Sequence, residues 1–275
     1  MQSKVIAKVG KSGLCNRLLI WAKAYTFSHI NQLPLYTHGW YSIRFGPFLR
    51  REKSKRFYGF YFRQKTCYSQ LIMDKIKNNK IIHEPKIDVC SNNGIYIFDK
   101  VPSQYEYFDK IINYRNLITE SFYGMINKKY IDIVNTYNKP IIGVHIRRGD
   151  FSYRGYTNEE FFAEIINKLR EYYQEKLEVS VFTDGIKEDF KIIPKLENIN
   201  FIDTGIDLVD LLVLASSKII VPTPGSTFSY WASFISDAAI IKHENSFNIR
   251  KRNTKDSNNN FEGTINDFLQ TKPIK

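Results

Sequence analysis

Two hydrophobic periodicities alternate along this chain. Lys4 to Val9 (KVIAKV) is a short β-branched run and predicts a strand. A turn at Gly10 to Gly13 follows. Leu14, Leu18, Trp21, Ala22 and Tyr25 then recur at helical spacing as far as His29. Gln32 to Tyr36 predicts the next strand. A βαβ opening of this kind implies a parallel sheet with helices on its faces.

From His38 to Lys80 the pattern is irregular, aromatic and basic. Ile81 to Ile97 predicts short strands, and Val101 to Tyr130 is more helical. Asn135 to Pro140 reads as a linker, since a proline disfavours helical backbone in the residue before it. Ile141 to Ile146 (IIGVHI) is an apolar run of the kind that forms a buried strand. After the polar loop RRGDFSYRGYTNEE, Thr157 and Glu160 have the spacing of a capping box. The helix behind it carries Phe161, Phe162, Ile165, Ile166, Leu169 and Tyr173 on one face. Val179–Thr183, Asn200–Asp203, Lys218–Val221 and Ala238–Ile241 predict further strands. Leu208, Leu211, Leu212 and Ala215 mark one helix, and Phe228, Trp231, Ala232 and Ile235 another. Arg250 to Asn260 (RKRNTKDSNNN) is polar and basic, the composition of a mobile segment. The chain therefore reads as α/β in two halves, 1–138 and 139–275. In open α/β sheets ligands bind beyond the carboxyl ends of strands. The loops after Ile146, Thr183 and Val221 are the places where chemistry is expected.

Composition narrows the class. The 275 residues are 43% hydrophobic and 25% charged, which suits a globular chain and not a disordered one. Three cysteines (Cys15, Cys67, Cys90) form no CxxC, which argues against a disulfide scaffold or a zinc finger and for a reducing cytoplasm. The start has no apolar core after a basic flank, so no signal peptide is expected. No run approaches the ~18 apolar residues of a membrane span. The net charge of +12 points to a polyanionic partner: nucleic acid, an anionic membrane face or a phosphorylated ligand.

Three segments carry candidate chemistry. The first is His145-Ile146-Arg147-Arg148-Gly149-Asp150, at a strand end. Paired guanidinium forks and the amides of a glycine-containing loop suit a diphosphate. The competing readings are a satisfied core histidine for His145 and a salt bridge for the arginines with Asp150. The second is Pro224 to Trp231 (PGSTFSYW). Ser226 or Thr227 can simply cap the following helix, or the helix start can bind an anion through its N–H groups and dipole. Phe228 and Trp231 read as core. The third is Gly13 to Leu18, with Asn16 and Arg17 at a helix start. Gly10-Lys11-Ser12 is not a P-loop, because Val5 stands where its first glycine belongs. Scattered histidines and the absence of HExxH disfavour a metal. Cys15 at a helix start lacks an obvious His/Asn arrangement and is disfavoured as a nucleophile. The basic aromatic stretch Arg44 to Arg63 suits nucleic acid, phosphate head groups or sugar, although no RNP or other nucleic-acid module is visible.

Together these segments resemble the fucosyltransferases that use GDP-fucose. The closest resemblance is to the α-1,2 family (glycosyltransferase family 11), within the wider group sharing an HxRRxD motif. SGLCNR (Ser12 to Arg17) is similar to that family's GGLGN-Q/R turn. HIRRGD (His145 to Asp150) matches its central motif. Phe182-Thr183-Asp184 matches F-[ST]-D, and Asp210-Leu211-Leu212 with STFSYW (Ser226 to Trp231) matches D-L-L…SSFSWW. Cys15 replaces the usual glycine and Tyr230 the usual tryptophan.

The resemblance implies two Rossmann-like domains facing across a cleft, of GT-B type. The C-terminal domain would hold the donor and the N-terminal one the acceptor. It implies an inverting transfer of L-fucose from GDP-fucose to a glycan hydroxyl, without a metal or other cofactor. Arg147 would neutralise the β-phosphate, and Arg148 would support the loop or the guanine end. His145 would orient the donor site, and Ser226, Thr227 and Phe228 would contact the diphosphate. Asp184 would make nucleoside or structural contacts, and Asn16 and Arg17 would close the donor site. Asp150 is the nearest carboxylate to take the acceptor proton, unless it locks the arginines instead. The related α-1,6 and protein O-fucosyltransferases share the Arg-bearing motif, so the linkage stays open. The acceptor would be a surface glycan, such as a lipid-linked lipopolysaccharide precursor. The enzyme would be cytoplasmic and peripheral on the inner face of the plasma membrane. Transfer from a different nucleotide sugar, and a basic nucleic-acid-binding protein without enzyme activity, are the alternatives.

Overall fold

The computed structural model describes residues 3–10, 12–41, 57–63, 80–86, 94–103, 106–149, 157–250 and 261–270. The chain divides into two compact units, Met1–Lys128 and Lys129–Lys275.

In the first unit, β1 (Lys4–Lys8), β2 (Leu35–His38), β3 (Lys80–His83) and β4 (Gly94–Phe98) form a parallel sheet in the order β2-β1-β4-β3. β1 is central, with Val5 opposite Leu35 on one side and Tyr96 on the other. Between β1 and β2 runs α1 (Leu14–Ile30). It is buried well beyond one stripe, and two of its buried hydroxyls find backbone partners. Thr26 donates to the Ala22 carbonyl at 2.9 Å and Ser28 to that of Leu33. The strand expected at Gln32 begins later, at Leu35. Gln32 has a positive φ of 52° and Leu33 donates back to Ser28, so the helix exit consumes these residues. Lys23 on α1 pairs with Glu84, whose carboxylate also receives the N–H groups of Asp99 and Lys100. This ties the carboxyl ends of β3 and β4 to the helix. The helical stretch expected to Tyr130 resolves into α2 (Arg115–Met125) and α3 (Lys128–Val134), and α3 past Lys128 belongs to the second unit. Ile126 between them is extended, in an antiparallel bridge with Phe62.

In the second unit, six parallel strands take the order β10-β9-β8-β5-β6-β7. They are β5 (Ile142–Ile146), β6 (Val179–Thr183), β7 (Ile199–Ile202), β8 (Ile219–Val221), β9 (Ala239–Ile241) and β10 (Glu262–Gly263). The helices are α4 (Glu159–Tyr173), α5 (Asp207–Ala215), α6 (Thr227–Ile235) and α7 (Ile265–Leu269). The chain builds outward from β5 to β7, then crosses to β8 on the other side. This is the doubly wound order, and its reversal opens a crevice at the carboxyl ends of β5 and β8. Every residue of β5 is buried, and its apolar side chains pack with Phe162, Ile166, Val181 and Val221 in one core. Gly143 is required there: a Cβ would lie 2.2 Å from Ser217 Oγ and 2.9 Å from Leu214 Cδ1.

Three expectations change. The capping box at Thr157 and Glu160 does not form. The N-cap is Asn158, without a side-chain cap bond, and the Thr157 carbonyl instead accepts from Arg148. Pro140, expected in a linker, already joins the amino ends of the central strands β5 and β8, since its carbonyl accepts from Lys218 N–H at 3.0 Å. Arg250 is buried, donating to the carbonyls of Ser236 and Ala238, while 251–260 lie outside the described residues. No helix among the described residues is long and apolar enough to cross a membrane.

Candidate functional site

The crevice between β5 and β8 is closed by one hydroxyl. Thr223 Oγ1 donates to the His145 carbonyl at 2.5 Å and accepts the Arg147 N–H at 3.0 Å. Thr223 is 1% exposed and lies just after β8. It therefore stitches the exits of two strands that turn apart at the switch point.

His145 is buried at the end of β5. Its ring stacks on Phe228 from the first turn of α6, with centroids 5.0 Å apart and planes 28° apart. Burial, and then the nearby charge of Arg147, push its pKa down to about 3. The imidazole is thus neutral at ordinary pH, and Nδ1 has no hydrogen-bond partner.

Arg147 and Arg148 diverge. Arg147 Nη1 meets Asp184 Oδ2 at 2.9 Å, both side chains being about a quarter exposed. Arg148 is buried. Its guanidinium donates to the Thr157 carbonyl and lies 5.0 Å from the Phe190 ring centroid. Its own N–H donates to Asp184 Oδ1 at 2.7 Å. Asp184, at the end of β6, therefore holds both arginines. Gly149 follows with φ +42°, and a Cβ there would stand 2.3 Å from Asp184 Oδ2. Glu159 at the start of α4 accepts from the N–H groups of Lys191, Ile192 and Ile193. Burial alone would raise its pKa, but those three bonds and the charge of Arg148 outweigh it and lower it.

The second segment completes the crevice. Ser226 is the N-cap of α6 but its side chain makes no cap bond. The hydroxyl-capping reading therefore does not hold for Ser226, and the amides of the first turn keep the unpaired character of any helix start. Thr227 and Phe228 are the first two residues of that turn. Gly225 has φ +73°, and its N–H is taken by the Tyr230 hydroxyl at 2.9 Å. Tyr230 is thus more than packing. Tryptophan at this position would offer a donor only and could not accept that bond.

The structure brings His145, Arg147, Arg148, Asp184, Ser226, Thr227 and Phe228 to one end of the second sheet. Asp150 and Lys11 lie outside the described residues, as does most of Arg44 to Arg63. In the first unit, Arg17 has no exposure. It donates to the carbonyls of Ser12 (2.9 Å) and Gly39 (2.8 Å), so it braces the loops leaving β1 and β2. Asn16 Oδ1 is buried without a partner. Cys15 is buried. Sequence reasoning missed Thr223, Tyr230 and Glu159. Thr223 and Glu159 bond to segments far away in the chain, and the Tyr230 bond to Gly225 spans only five positions but depends on the fold of that turn.

The sequence profile of glycosyl transferase family 11 matches residues 96–263, well over half of the chain. The chain belongs to this family. It is therefore a glycosyltransferase. The matched range runs from β4 to β10 and includes every site residue of the second unit, while Asn16 and Arg17 precede it. No curated protein sequence matches the chain. Among solved structures, the fucosyltransferase NodZ from Bradyrhizobium is similar in fold. The TM-score is 0.59 at 15% identity, covering 90% of this chain and 96% of the other. NodZ described as an α-1,6-fucosyltransferase and co-crystallised with GDP gives 0.57 at 14%, with the same coverage. POFUT1 without ligand gives 0.54 at 12%, covering 86% and 95%. At these identities the likeness concerns the fold, which is the two-sheet α/β fold of GT-B type that the resemblance implied.

Proposed function

We propose that this family 11 glycosyltransferase moves L-fucose from GDP-fucose to a glycan hydroxyl, making an α-1,2 linkage with inversion. The observation that carries the reading is the Thr223 clasp. It joins the Arg147 loop to the start of α6 at the switch point of a doubly wound sheet, where such folds bind nucleotides. Two similar folds point to the donor: NodZ was crystallised with GDP, and POFUT1 in complex with GDP-fucose at a TM-score of 0.51.

In this reading the β-phosphate meets Arg147, and the amides of Thr227 and Phe228 meet the remaining diphosphate oxygens. The acceptor oxygen forms a bond to C1 of fucose while the bond from C1 to the β-phosphate oxygen breaks. That bond's electron pair leaves with GDP. The acceptor proton passes to a carboxylate, for which Asp150 is the candidate. Negative charge grows on the diphosphate during this step. A cation held by Asp184 and a fixed helix start stabilise that charge without rearranging. Arg148, buried against Phe190 and Thr157, positions the loop. His145 stays neutral beside Phe228 and keeps a second positive charge away from Arg147. No metal enters this scheme. The net charge of +12 favours an anionic membrane surface. It suits a lipid-linked acceptor on the cytoplasmic face.

Isothermal calorimetry with GDP, and UDP as control, tests the donor. We expect GDP to bind and UDP not to. We expect Arg147→Ala to weaken GDP binding by about 10- to 100-fold, the order of losing one hydrogen bond between charged groups. Equal binding of GDP and UDP, or GDP binding indifferent to Arg147→Ala, refutes the donor assignment. Linkage analysis of the product then separates α-1,2 from α-1,6.

A further inference from the structure

The loop leaving β2 and the segment 57–63 share a foundation in the first unit. Arg17 bonds to Gly39, and its guanidinium carbon lies 4.7 Å from the Tyr58 ring centroid. Trp40 packs on Phe62 at 4.4 Å. On this rigid base sits a run of rings that the fold does not bury. Tyr41 meets Phe57 edge-on at 6.3 Å, and Phe57 meets Phe60 edge-on at 5.3 Å. A Cβ on Gly59 would lie 2.2 Å from the Tyr41 ring, so this ring rests directly on bare backbone. Phe60 is nevertheless 62% exposed and Tyr41 40%. A contiguous exposed aromatic patch marks a binding surface.

The loops around it contain a second signal. Ser12 Oγ, Asn16 Oδ1 and Trp40 Nε1 are buried without hydrogen-bond partners. Such groups call for an explanation in a native structure. Trp40 is 1% exposed, so its N–H is fully withdrawn from solvent. These residues follow the carboxyl ends of β1 and β2, the sheet edge where open parallel sheets place ligands.

We propose that Tyr41, Phe57 and Phe60 form a stacking shelf for a pyranose ring of the acceptor glycan. The acceptor role rests on the transfer reaction proposed above; the sugar affinity itself does not. A pyranose has an apolar C–H face that suits the electron-rich face of an aromatic ring. The unpaired polar atoms of the neighbouring loops are closed to solvent, so the stacking face alone carries the contact. A lipid chain offers no flat C–H face for a ring to meet. A protein partner would be expected to meet aliphatic side chains as well, and among the described residues this patch is built of rings.

Saturation-transfer NMR on the full chain tests the shelf, with lactose and N,N′-diacetylchitobiose as probes. GDP calorimetry is run on the same samples. Transfer to the sugar C–H protons is expected with wild type. It should fall by about fivefold or more in Phe60→Ala and persist in Phe60→Trp, which keeps a ring face. GDP affinity should stay within about twofold in both variants. The shelf is overturned by sugar signals unchanged in Phe60→Ala, by no transfer from either probe to wild type, or by joint loss of sugar and GDP binding in Phe60→Ala. Loss of anionic-vesicle binding in Phe60→Ala with sugar signals intact overturns it too and assigns the patch to lipid. Sugar binding in a wild type that ignores GDP upholds the shelf and removes the GDP-fucose reading.

Discussion

His145 shows how one side chain links site chemistry to stability. Its folded pKa of about 3 lies below the ordinary 6.5 because burial and Arg147 both disfavour its cation. Between these values the unfolded chain binds a proton that the folded chain refuses. Stability therefore rises with pH through that window, and this contribution is lost as pH falls from 6.5 towards 3. One such proton gives a slope of about 1.4 kcal/mol per pH unit. Urea unfolding of wild type and His145→Gln at pH 4.5 to 6.5 should show the variant with the shallower slope by about this amount. Parallel slopes would mean that His145 titrates normally. Glu159 acts in the same acid direction, since its lowered pKa makes its contribution fade as pH falls. Comparison at one residue is what isolates the histidine. The sequence showed His145 at a strand end but left open whether it was core or site. Its burial and its stacking on Phe228, 83 positions away in the chain, are tertiary facts.

At the level of elements, Thr223 joins β5 to β8 through one hydroxyl. Thr223→Val keeps the shape and removes both bonds. The Arg147 N–H and the His145 carbonyl would then lose their partner. An unsatisfied buried group costs about 1–3 kcal/mol, so a loss near 2 kcal/mol in urea unfolding is expected, with weaker GDP binding. A variant with wild-type stability would show that the clasp is dispensable. The strands it joins were legible in the sequence, because IIGVHI and KIIV are apolar runs bounded by polar turns. The start of α4 was not. The Thr157 and Glu160 spacing fits a local capping box, but Asn158 is the N-cap and the Thr157 carbonyl accepts from the buried Arg148. Glu159, beside the expected partner, instead takes three distant amides at 191–193. β10 and α7 also escaped the pattern, being two and five residues long.

For the whole molecule, the proposed chemistry uses charge that the fold itself supplies. Arg147 and the start of α6 take the place that a divalent cation occupies in many phosphate sites. GDP affinity should therefore agree within about threefold between EDTA and millimolar Mg²⁺. A gain of about tenfold or more with Mg²⁺ would bring a metal into the donor site. The family profile covers the second unit's site residues, whereas the aromatic shelf at Tyr41 to Phe60 lies before the matched range. On the proposed reading, Arg147→Ala is expected to lower GDP affinity alone and Phe60→Ala sugar affinity alone, and measuring both on the same samples checks it.

The sequence by itself determined the α/β class and the alternation of strands and helices, and it displayed the segments whose residue types suit a diphosphate. Hydrophobic periodicity and turn residues act over a few positions, so a single chain displays them directly. Only the tertiary structure decided what each polar group does. It made Arg148 and Arg17 buried braces and left Arg147 beside Asp184 at the crevice. It gave Tyr230 a turn to hold and left Phe60 exposed. Those outcomes depend on strand order and on how each loop folds back, where desolvation rather than spacing decides which side chain is paired.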